Sequence, residues 1–458
     1  MSLWWFLFTL QGAARVVGVW GSSPYQKRLP REGKTAKGFC EFMTNTQFSV
    51  TLPTNARILV IKLAGIGDGL LIMPALRALR ETYPNATIDL LTRYIPAQVL
   101  QSWNVLNDII VINPRPEGTK LDQEFTFAQR LGLLNRLLNR LRAKRYDAVL
   151  LFHHLLPLHR CLTFQALTLA TGARWRVGLD NGHGWFLNVK VQDDGFGARH
   201  EAEHYLAVAG AIGATTLDKR LHMPLADEDR QQAWNIVYGS DESTAPRGPI
   251  IAMHPGCSML STARRWAPER FAQLADILYQ DFGGRLLLLG GPEEAPIREE
   301  VMRLMQSDMP RRSLSGQESI KLTAAVIELC DLFIGNDSGL MHLATAVDTP
   351  TVAIFGLTNH KAWGPYTGGI PGRATVVHLD LPCMPCYFRG RTIGTPEGCA
   401  TRDCMTQLQV DPVAEAAHKI LMSWLEANDA LSLLPADLQA ITKYAIMDYK
   451  QLNKKRRK

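Results

Sequence analysis

Two stretches of the chain decide its fold, and the first is RILVIKLAGIGDGLL, residues 57–71. It opens with an unbroken apolar run, typical of a strand that is buried on both faces of a parallel sheet. A glycine-bearing turn over residues 64–69 follows, and a helical pattern covers residues 70–83. The second stretch, LFIGNDSGLMHLATA at residues 332–346, repeats the same order of strand, turn and helix. Each stretch therefore indicates a separate α/β unit.

The sequence around both stretches keeps alternating between strand and helix patterns. Further strands are predicted at residues 87–92, 108–112, 148–152, 250–254, 285–289 and 351–355, and helices at residues 125–142, 268–282, 295–305, 413–426 and 435–450. Such alternation predicts parallel sheets covered by helices on both faces. A polar, turn-rich stretch at residues 239–248 is the predicted linker. We therefore expect two Rossmann-like α/β domains, residues 56–240 and 241–430, facing each other across a cleft, with an extension at 1–55 and a helix and basic tail at 431–458.

The positive charge of the chain lies at its two ends. The formal net charge is +7, of which +4 falls in residues 1–42 and +6 in residues 443–458, so the body carries −3. A nucleic-acid enzyme is expected to carry its charge on a folded face instead. We therefore predict no nucleic-acid partner. The basic tail is interpreted as a solvated end, with contact to anionic membrane lipid as the alternative.

The first twenty residues are apolar and rich in aromatic side chains, but Gln11 and Arg15 interrupt them. The segment fits neither a membrane-spanning helix nor a secretory signal. It could lie on a membrane surface, or it could be an over-long start, because Met43 stands close before the first strand. No other stretch is long enough to cross a bilayer, so the sequence predicts a cytoplasmic body.

The first glycine turn carries a carboxylate, Asp68. The turn lacks the G-x-G-x-x-G spacing of a dinucleotide site, which argues against a nicotinamide oxidoreductase. Asp68 could serve as a base in the cleft, kept ionised by the helix dipole, or it could only cap the helix. Gly65, Gly67 and Lys62 are the predicted acceptor-side residues of this turn.

The second turn is a candidate anion site. The backbone N–H groups of Ser338 and Gly339 stand at the start of a predicted helix, where anions bind readily. Asp337 could cap this helix or accept hydrogen bonds from sugar hydroxyls, and His342 could reach a diphosphate or be structural.

Two further segments follow strands of the second domain. Arg264 could neutralise a leaving diphosphate or belong to a solvated basic loop. Glu293, in LGGPEE at residues 289–294, could bind a ribose or be an ordinary surface residue. His153, His154 and His159 come directly after a strand and are interpreted as loop or acceptor-side residues.

Four blocks of this sequence together resemble one family, glycosyltransferase family 9, the ADP-heptose:lipopolysaccharide heptosyltransferases. The resemblance covers about residues 57–425, and its blocks are residues 58–79, 251–278, 289–294 and 332–366. It implies a GT-B fold, an ADP-sugar donor held by the second domain, a lipopolysaccharide-core-like acceptor, and inversion at the sugar carbon.

By matching position, the resemblance gives Asp68 the role of catalytic base and Arg264 that of diphosphate-binding cation. Asp337, Ser338, Gly339 and His342 fall in the donor-binding turn. The resemblance therefore predicts a metal-independent, inverting glycosyltransferase that needs no cofactor. The alternative is a non-catalytic relative of the same fold that binds a nucleotide sugar or a glycolipid.

Four of the eight cysteines cluster in a Pro/Gly-rich loop over residues 383–404. They are Cys383, Cys386, Cys399 and Cys404. Two close pairs at this separation fit a structural zinc site. The alternative is a set of reduced loop thiols.

Overall fold

The computed structural model describes residues 50–112, 127–239 and 248–427. Most of the predicted N-terminal extension and of the linker, the helix predicted over residues 435–450 and the basic tail lie outside these residues.

The first sheet has six parallel strands in the order β3-β2-β1-β4-β5-β6. The strands are β1 (Arg57–Lys62), β2 (Thr87–Arg93), β3 (Asp108–Ile112), β4 (Ala148–Leu151), β5 (Trp175–Asp180) and β6 (Val189–Gln192). The helices are α1 (Ile66–Leu71), α2 (Met73–Thr82), α3 (Tyr94–Leu100), α4 (Phe127–Ala143), α5 (Leu158–Ala170), α6 (Glu201–Gly210) and α7 (Asp227–Tyr238).

The second sheet also has six parallel strands, in the order β9-β8-β7-β10-β11-β12. The strands are β7 (Ile250–His254), β8 (Arg285–Leu288), β9 (Arg311–Ser313), β10 (Leu332–Asn336), β11 (Thr351–Ile354) and β12 (Ala374–Val377). The helices are α8 (Pro268–Phe282), α9 (Ala295–Leu304), α10 (Ile320–Glu328), α11 (Gly339–Ala346), α12 (His360–Trp363), α13 (Asp403–Thr406) and α14 (Val410–Ala427). Both sheets thus have the strand order 3-2-1-4-5-6 of the doubly wound fold, and the predicted pair of Rossmann-like domains is confirmed.

The prediction of one continuous helix over residues 70–83 is wrong. The structure has two helices there, and they meet at Ile72. Pro74 lies in the first turn of α2, where its ring is tolerated; in a continuous helix it would lack the N–H and collide with a preceding carbonyl. The first of these helices, α1, begins at Ile66 and ends before the break. Asp68 therefore lies inside a short helix.

Apolar packing joins the two sheets. Helix α1 packs on α11, and both α3 and α7 pack on α10. One cluster of buried side chains runs through both halves, from Leu70 and Leu76 on the first side to Leu343 and Phe355 on the second. Helix α7 precedes the predicted domain boundary at residue 240 and yet contacts the second domain, where Arg230 pairs with Glu328 at 2.8 Å. The predicted boundary stays a prediction.

Polar contacts also bridge the sheets beside the start of α6. A hairpin of β13 (Tyr387–Arg389) and β14 (Thr392–Gly394) extends from the second domain, and its Gly390 carbonyl accepts a hydrogen bond of 2.7 Å from the Phe196 N–H. His200 Nε2 contacts the Gly364 carbonyl at 2.9 Å. The Tyr366 hydroxyl donates to Glu203 at 2.6 Å. The first turn of α6 is therefore attached to both domains.

Within the described ranges, none of the helices combines the length and the apolar character that crossing a bilayer requires.

Candidate active site

The candidate site lies where the topology of each sheet reverses. In a doubly wound sheet the crevice forms between the first and fourth strands, outside their carboxyl ends. In the first sheet these strands are β1, which ends at Lys62, and β4, which is followed by His153 and His154. In the second they are β7, which ends at His254, and β10, which leads into the turn at residues 336–338.

Asp68 is the third residue of α1 and faces the cleft. Gly65 holds the N-cap position, and no side chain caps the helix. The Asp68 carboxylate instead pairs with Lys62 Nζ at 3.0 Å, with 31% of its side chain exposed. The capping alternative is therefore not what the structure has. Lys62 ends β1, within the predicted strand, and is buried, with 4% exposure; its assignment to the acceptor side stays a prediction.

The two predicted turns meet at Gly67. A Cβ atom at this position would lie 2.4 Å from Cδ2 of His342, and one at Gly339 would lie 3.1 Å from Cβ of Ile66. Glycine at 67 therefore allows a peptide backbone to lie directly against the imidazole ring. Burial lowers the pKa of His342 to about 4, so the ring is neutral near pH 7. Among the described residues, His342 Nδ1 has no hydrogen-bond partner.

In the donor turn, Ser338 is the N-cap residue of α11, but its hydroxyl does not cap the helix. Ser338 Oγ lies 3.0 Å from His254 Nδ1, and His254 Nε2 lies 3.0 Å from Glu294 Oε2. All three side chains are buried. The first backbone N–H groups of a helix have no partner within it, so this turn presents amides together with a hydroxyl whose orientation a histidine controls.

The carboxylate predicted at residue 293 has a buried neighbour. Glu293 is exposed, whereas Glu294 accepts a hydrogen bond of 2.8 Å from the Gly291 N–H in addition to its His254 contact. Assigning the ribose to Glu293 stays a prediction. Sequence reasoning missed Glu294 because two adjacent glutamates give no local sign of which one turns inward.

Arg264 lies beside the donor turn. Its Nη1 is 3.2 Å from Asp337 Oδ2 and 3.0 Å from the Asp337 carbonyl oxygen. Asn336 fixes the same turn by accepting from the Trp266 N–H at 3.0 Å and donating to the Pro255 carbonyl at 2.9 Å. The cation and the helix N-terminus therefore lie together, an arrangement that can bind an anion.

His154 lies in the loop between β4 and α5, as predicted, but its environment was not foreseen. It is buried, with Nδ1 2.9 Å from Asp193 Oδ2 and Nε2 3.0 Å from Glu201 Oε1. Burial alone would lower its pKa, but the Glu201 and Asp193 carboxylates outweigh it and raise the pKa to about 9. His154, Glu201 and His204 are the one set of three candidate metal ligands within 4.8 Å of one another in the described part of the chain. Protonated His154 already supplies the positive charge between these carboxylates.

Arg93 lies near both Asp68 and a second arginine, Arg160. Arg93 ends β2, Arg160 lies in the first turn of α5 after β4, and both are exposed. The pKa of Arg93 is lowered by burial and by Arg160, while Asp68 opposes the shift. Neither guanidinium has an ion-pair partner within the described ranges. Nothing in the sequence indicated either arginine's position, because a single arginine outside a motif has no characteristic spacing to other residues.

The four clustered cysteines do not form a compact ligand set. Cys383 and Cys399 are exposed, and Cys404 is buried. Burial and the neighbouring thiols raise the pKa of Cys404 to about 11. No three of these sulfurs belong to a set of described side chains within 4.8 Å of one another. The zinc prediction is therefore unsupported.

Comparison with known proteins agrees with this geometry. The family model described as glycosyltransferase family 9 (heptosyltransferase) matches residues 134–395, more than half of the chain. The chain belongs to this family. This family 9 glycosyltransferase is 28% identical over 370 residues to lipopolysaccharide heptosyltransferase 2 of Salmonella typhimurium. The match covers 80% of this chain and 98% of the Salmonella protein. This chain is 27% identical to lipopolysaccharide heptosyltransferase 2 of Escherichia coli, over 70% and 88% of the two chains.

Two solved structures share the fold of this family 9 glycosyltransferase. The crystal structure of a glycosyl transferase family 9 protein from Veillonella parvula has a TM-score of 0.61 and 23% identity, covering 80% of this chain and 97% of the other. E. coli ADP-heptose lps heptosyltransferase II has a TM-score of 0.58 and 21% identity, over 80% and 99%. At these identities the likeness concerns the fold, and it confirms the expected GT-B architecture.

The sequence-predicted residues of this family 9 glycosyltransferase fall into two groups. The structure brings together those of the two turns: Lys62, Gly67, Asp68, Arg264, Asp337, Ser338, Gly339 and His342. Gly65 and Glu293 stay at the exposed rim, and the cysteines form no compact ligand set.

Proposed function

We propose that this protein is an inverting glycosyltransferase that moves a heptose from an ADP-linked donor to a hydroxyl of a lipopolysaccharide-core acceptor. The observation that carries the proposal is the meeting of the two turns, where the Gly67 backbone lies against the His342 ring. A carboxylate and an anion-binding helix N-terminus then open onto one cleft. The names of the relatives, lipopolysaccharide heptosyltransferases 2 and 3, support heptose as the sugar.

The proposed reaction is a single displacement. Asp68 accepts the proton of the acceptor hydroxyl as that oxygen forms its bond to the anomeric carbon. The bond between that carbon and the diphosphate oxygen breaks, and its electron pair leaves with ADP. The proton passes from Asp68 to solvent, because this side chain is partly exposed.

The positive charge for the leaving group comes from the protein in this proposal. Arg264 and the amides at Ser338 and Gly339 would stabilise the diphosphate, which is where preorganised charge contributes most. No divalent cation is then needed. Transfer by protein treated with EDTA should keep its rate. A rate that is lost with EDTA and restored by Mg²⁺ would contradict metal independence.

The acceptor would lie on the first domain. Arg93 lies near Asp68, and Arg160 lies near Arg93. Neither has an ion-pair partner in the described part of the chain, so they would bind anionic groups of the acceptor. We also propose a peripheral contact with anionic lipid at the cytoplasmic face of the inner membrane, through the basic tail in the sequence. Co-sedimentation with vesicles of anionic and of neutral lipid tests this contact, and equal binding to both would contradict it.

Substitution of Asp68 tests the central assignment. Asp68→Asn keeps the shape of the side chain and removes its basicity, and a positioned base typically contributes about 10²–10⁴-fold to the rate. We expect a loss of that size in the transfer of heptose from ADP-heptose to a heptose-acceptor glycolipid, with retained ADP binding. A folded Asn variant with near-normal turnover would refute the base assignment.

A further inference from the structure

A buried chain of hydrogen bonds leads from Asp68 into the first domain. Lys62 Nζ lies 3.0 Å from Asp68 Oδ1 and donates a second hydrogen bond to the Tyr205 hydroxyl. That hydroxyl donates in turn to Glu201 Oε2 at 2.8 Å. The residues come from β1, α1 and α6, so the chain joins three elements that are distant in sequence.

The inner half of the chain consists of charged groups. Glu201 Oε1 lies 3.0 Å from His154 Nε2, and His154 Nδ1 lies 2.9 Å from Asp193 Oδ2. The other carboxylate oxygen of Asp193, Oδ1, accepts a hydrogen bond of 2.9 Å from the Gly195 N–H. Positive and negative groups therefore alternate from the cleft inward, with neutral Tyr205 between Lys62 and Glu201.

The burial of this chain is unusual for charged groups. Tyr205, Glu201 and Asp193 are no more than 1% exposed. Burying charges costs several kcal/mol per ion unless partners compensate. Asp68 is the one member of the chain with a substantially exposed side chain. The chain therefore ends at the group that would react.

The direction of the hydrogen bonds shows what Tyr205 does. Its hydroxyl has one proton, and Glu201 at 2.8 Å is a nearer acceptor than Asp68 at 3.5 Å. The hydroxyl oxygen then accepts from Lys62. The Lys62 ammonium also lies 4.3 Å from the centre of the Tyr205 ring. Tyr205 thus holds the ammonium group, and the ammonium group holds the Asp68 carboxylate.

We infer that Tyr205 and Glu201 are positioning residues for Asp68, acting through Lys62, with His154 and Asp193 anchoring the chain within the domain. The inference rests on the proposed function, because it concerns the base of that reaction. A lysine side chain is long and flexible, so Lys62 can fix the Asp68 carboxylate only when its ammonium group is itself held in place.

The test compares two buried tyrosines. Tyr205→Phe removes one hydroxyl and keeps the ring that stacks on Phe152. Tyr146→Phe is the matched control, because the Tyr146 hydroxyl also donates to a buried carboxylate, Asp89, at 2.8 Å, but in the first sheet away from the cleft. A misplaced reacting group can cost about 10²-fold, so we expect Tyr205→Phe to lower kcat about 10- to 100-fold.

The KM for ADP-heptose should change little in Tyr205→Phe, because the donor turn is untouched. Tyr146→Phe should keep the wild-type kcat even if both variants lose similar thermal stability. A Tyr205→Phe enzyme with the wild-type kcat, or an equal loss of kcat in both variants, overturns the inference while leaving the proposed function intact. Wild-type protein that transfers no sugar overturns both.

Glu201→Gln is the second variant for testing the same inference if the Tyr205→Phe protein does not fold. The amide oxygen can still accept from Tyr205, but its NH₂ group would face the donating His154 Nε2. We expect a lower kcat at unchanged donor KM. An unchanged kcat in folded Glu201→Gln also overturns the inference.

Discussion

Each sheet places a buried histidine beside its crevice, after the fourth strand in the first sheet and at the end of the first strand in the second, and the two histidines have different partners. His154, after β4, lies between two carboxylates, Asp193 and Glu201. His254, at the end of β7, lies between one carboxylate, Glu294, and the hydroxyl of Ser338. The first arrangement leads by hydrogen bonds to a carboxylate at the cleft, and the second leads to a hydroxyl at a helix N-terminus. One topology thus provides a proton acceptor on one side of the cleft and an anion site on the other.

Among the changes that test this comparison, the largest effect should follow from removing the cation of the donor side. Arg264→Gln takes away the charge beside the leaving diphosphate and leaves Asp337 without its ion pair. Loss of one preorganised electrostatic group costs about 10²–10³-fold in kcat, and we expect that range together with weaker ADP binding. Steady-state kinetics and ADP titration measure both. Arg303→Gln, which changes an exposed arginine paired with Glu300, is the control.

A smaller loss should follow from separating the two turns. Gly67→Ala places a methyl group 2.4 Å from the His342 ring, so the turns must move apart, and we expect transfer to fall about 10²-fold with ADP binding retained. Gly65→Ala is the matched control, because nothing lies within 4 Å of a Cβ there. Activity restored in the double variant Gly67→Ala/His342→Ala would identify the collision as the cause. Full activity in Gly67→Ala alone would contradict the close approach.

The acceptor side should respond through its KM. Arg160→Gln removes the guanidinium group that lies near Arg93, and a hydrogen bond to a charged group contributes about 1.5–3 kcal/mol. We expect the acceptor KM to rise about 10-fold, with less dependence on salt, while the donor KM stays unchanged. Initial rates over a range of acceptor and NaCl concentrations measure this. An equal rise in both KM values would place Arg160 outside the acceptor site.

The smallest effect concerns stability and pH. The pKa of His154 is raised from its ordinary 6.5 to about 9, so its stabilisation is complete below pH about 6.5 and is lost as the pH rises through about 9. His153 and His204 also face this histidine. We expect the free energy of unfolding to fall on the order of 1–3 kcal/mol over this range. Thermal unfolding followed from pH 6 to 10 measures it.

His154→Gln should flatten that profile. A wild-type melting temperature that rises between pH 6.5 and 9 would contradict the charged state of His154.

Much of the fold could be predicted from the sequence, because the strands at the centre of each sheet are short apolar runs between turn signals. Strands β3 and β7 were predicted with their exact bounds. Strand β6 was not predicted, because Val189–Gln192 alternates apolar and polar residues over four positions only. The β13–β14 hairpin was missed because it lies in a Pro/Gly-rich loop, where local signals favour turns.

The site could be predicted only where its residues are close in sequence. Asp68 and the donor turn stand in glycine-bearing motifs, which the sequence displays. Tyr205 lies 137 residues from Asp68 and carries no motif, so its contact with Lys62 depends on how α6 packs against the sheet. The inward turn of Glu294 likewise depends on the tertiary position of His254.

The first turn of α6 has a consequence for how substrates could enter and leave. His200 and Glu203 attach this turn to the second domain through Gly364 and Tyr366, and Tyr205 on the next turn holds the ammonium group of Lys62. Any motion that widens the cleft on this side therefore pulls on the helix that orients the base. In the proposed reaction, domain motion and the placement of Asp68 are then mechanically linked.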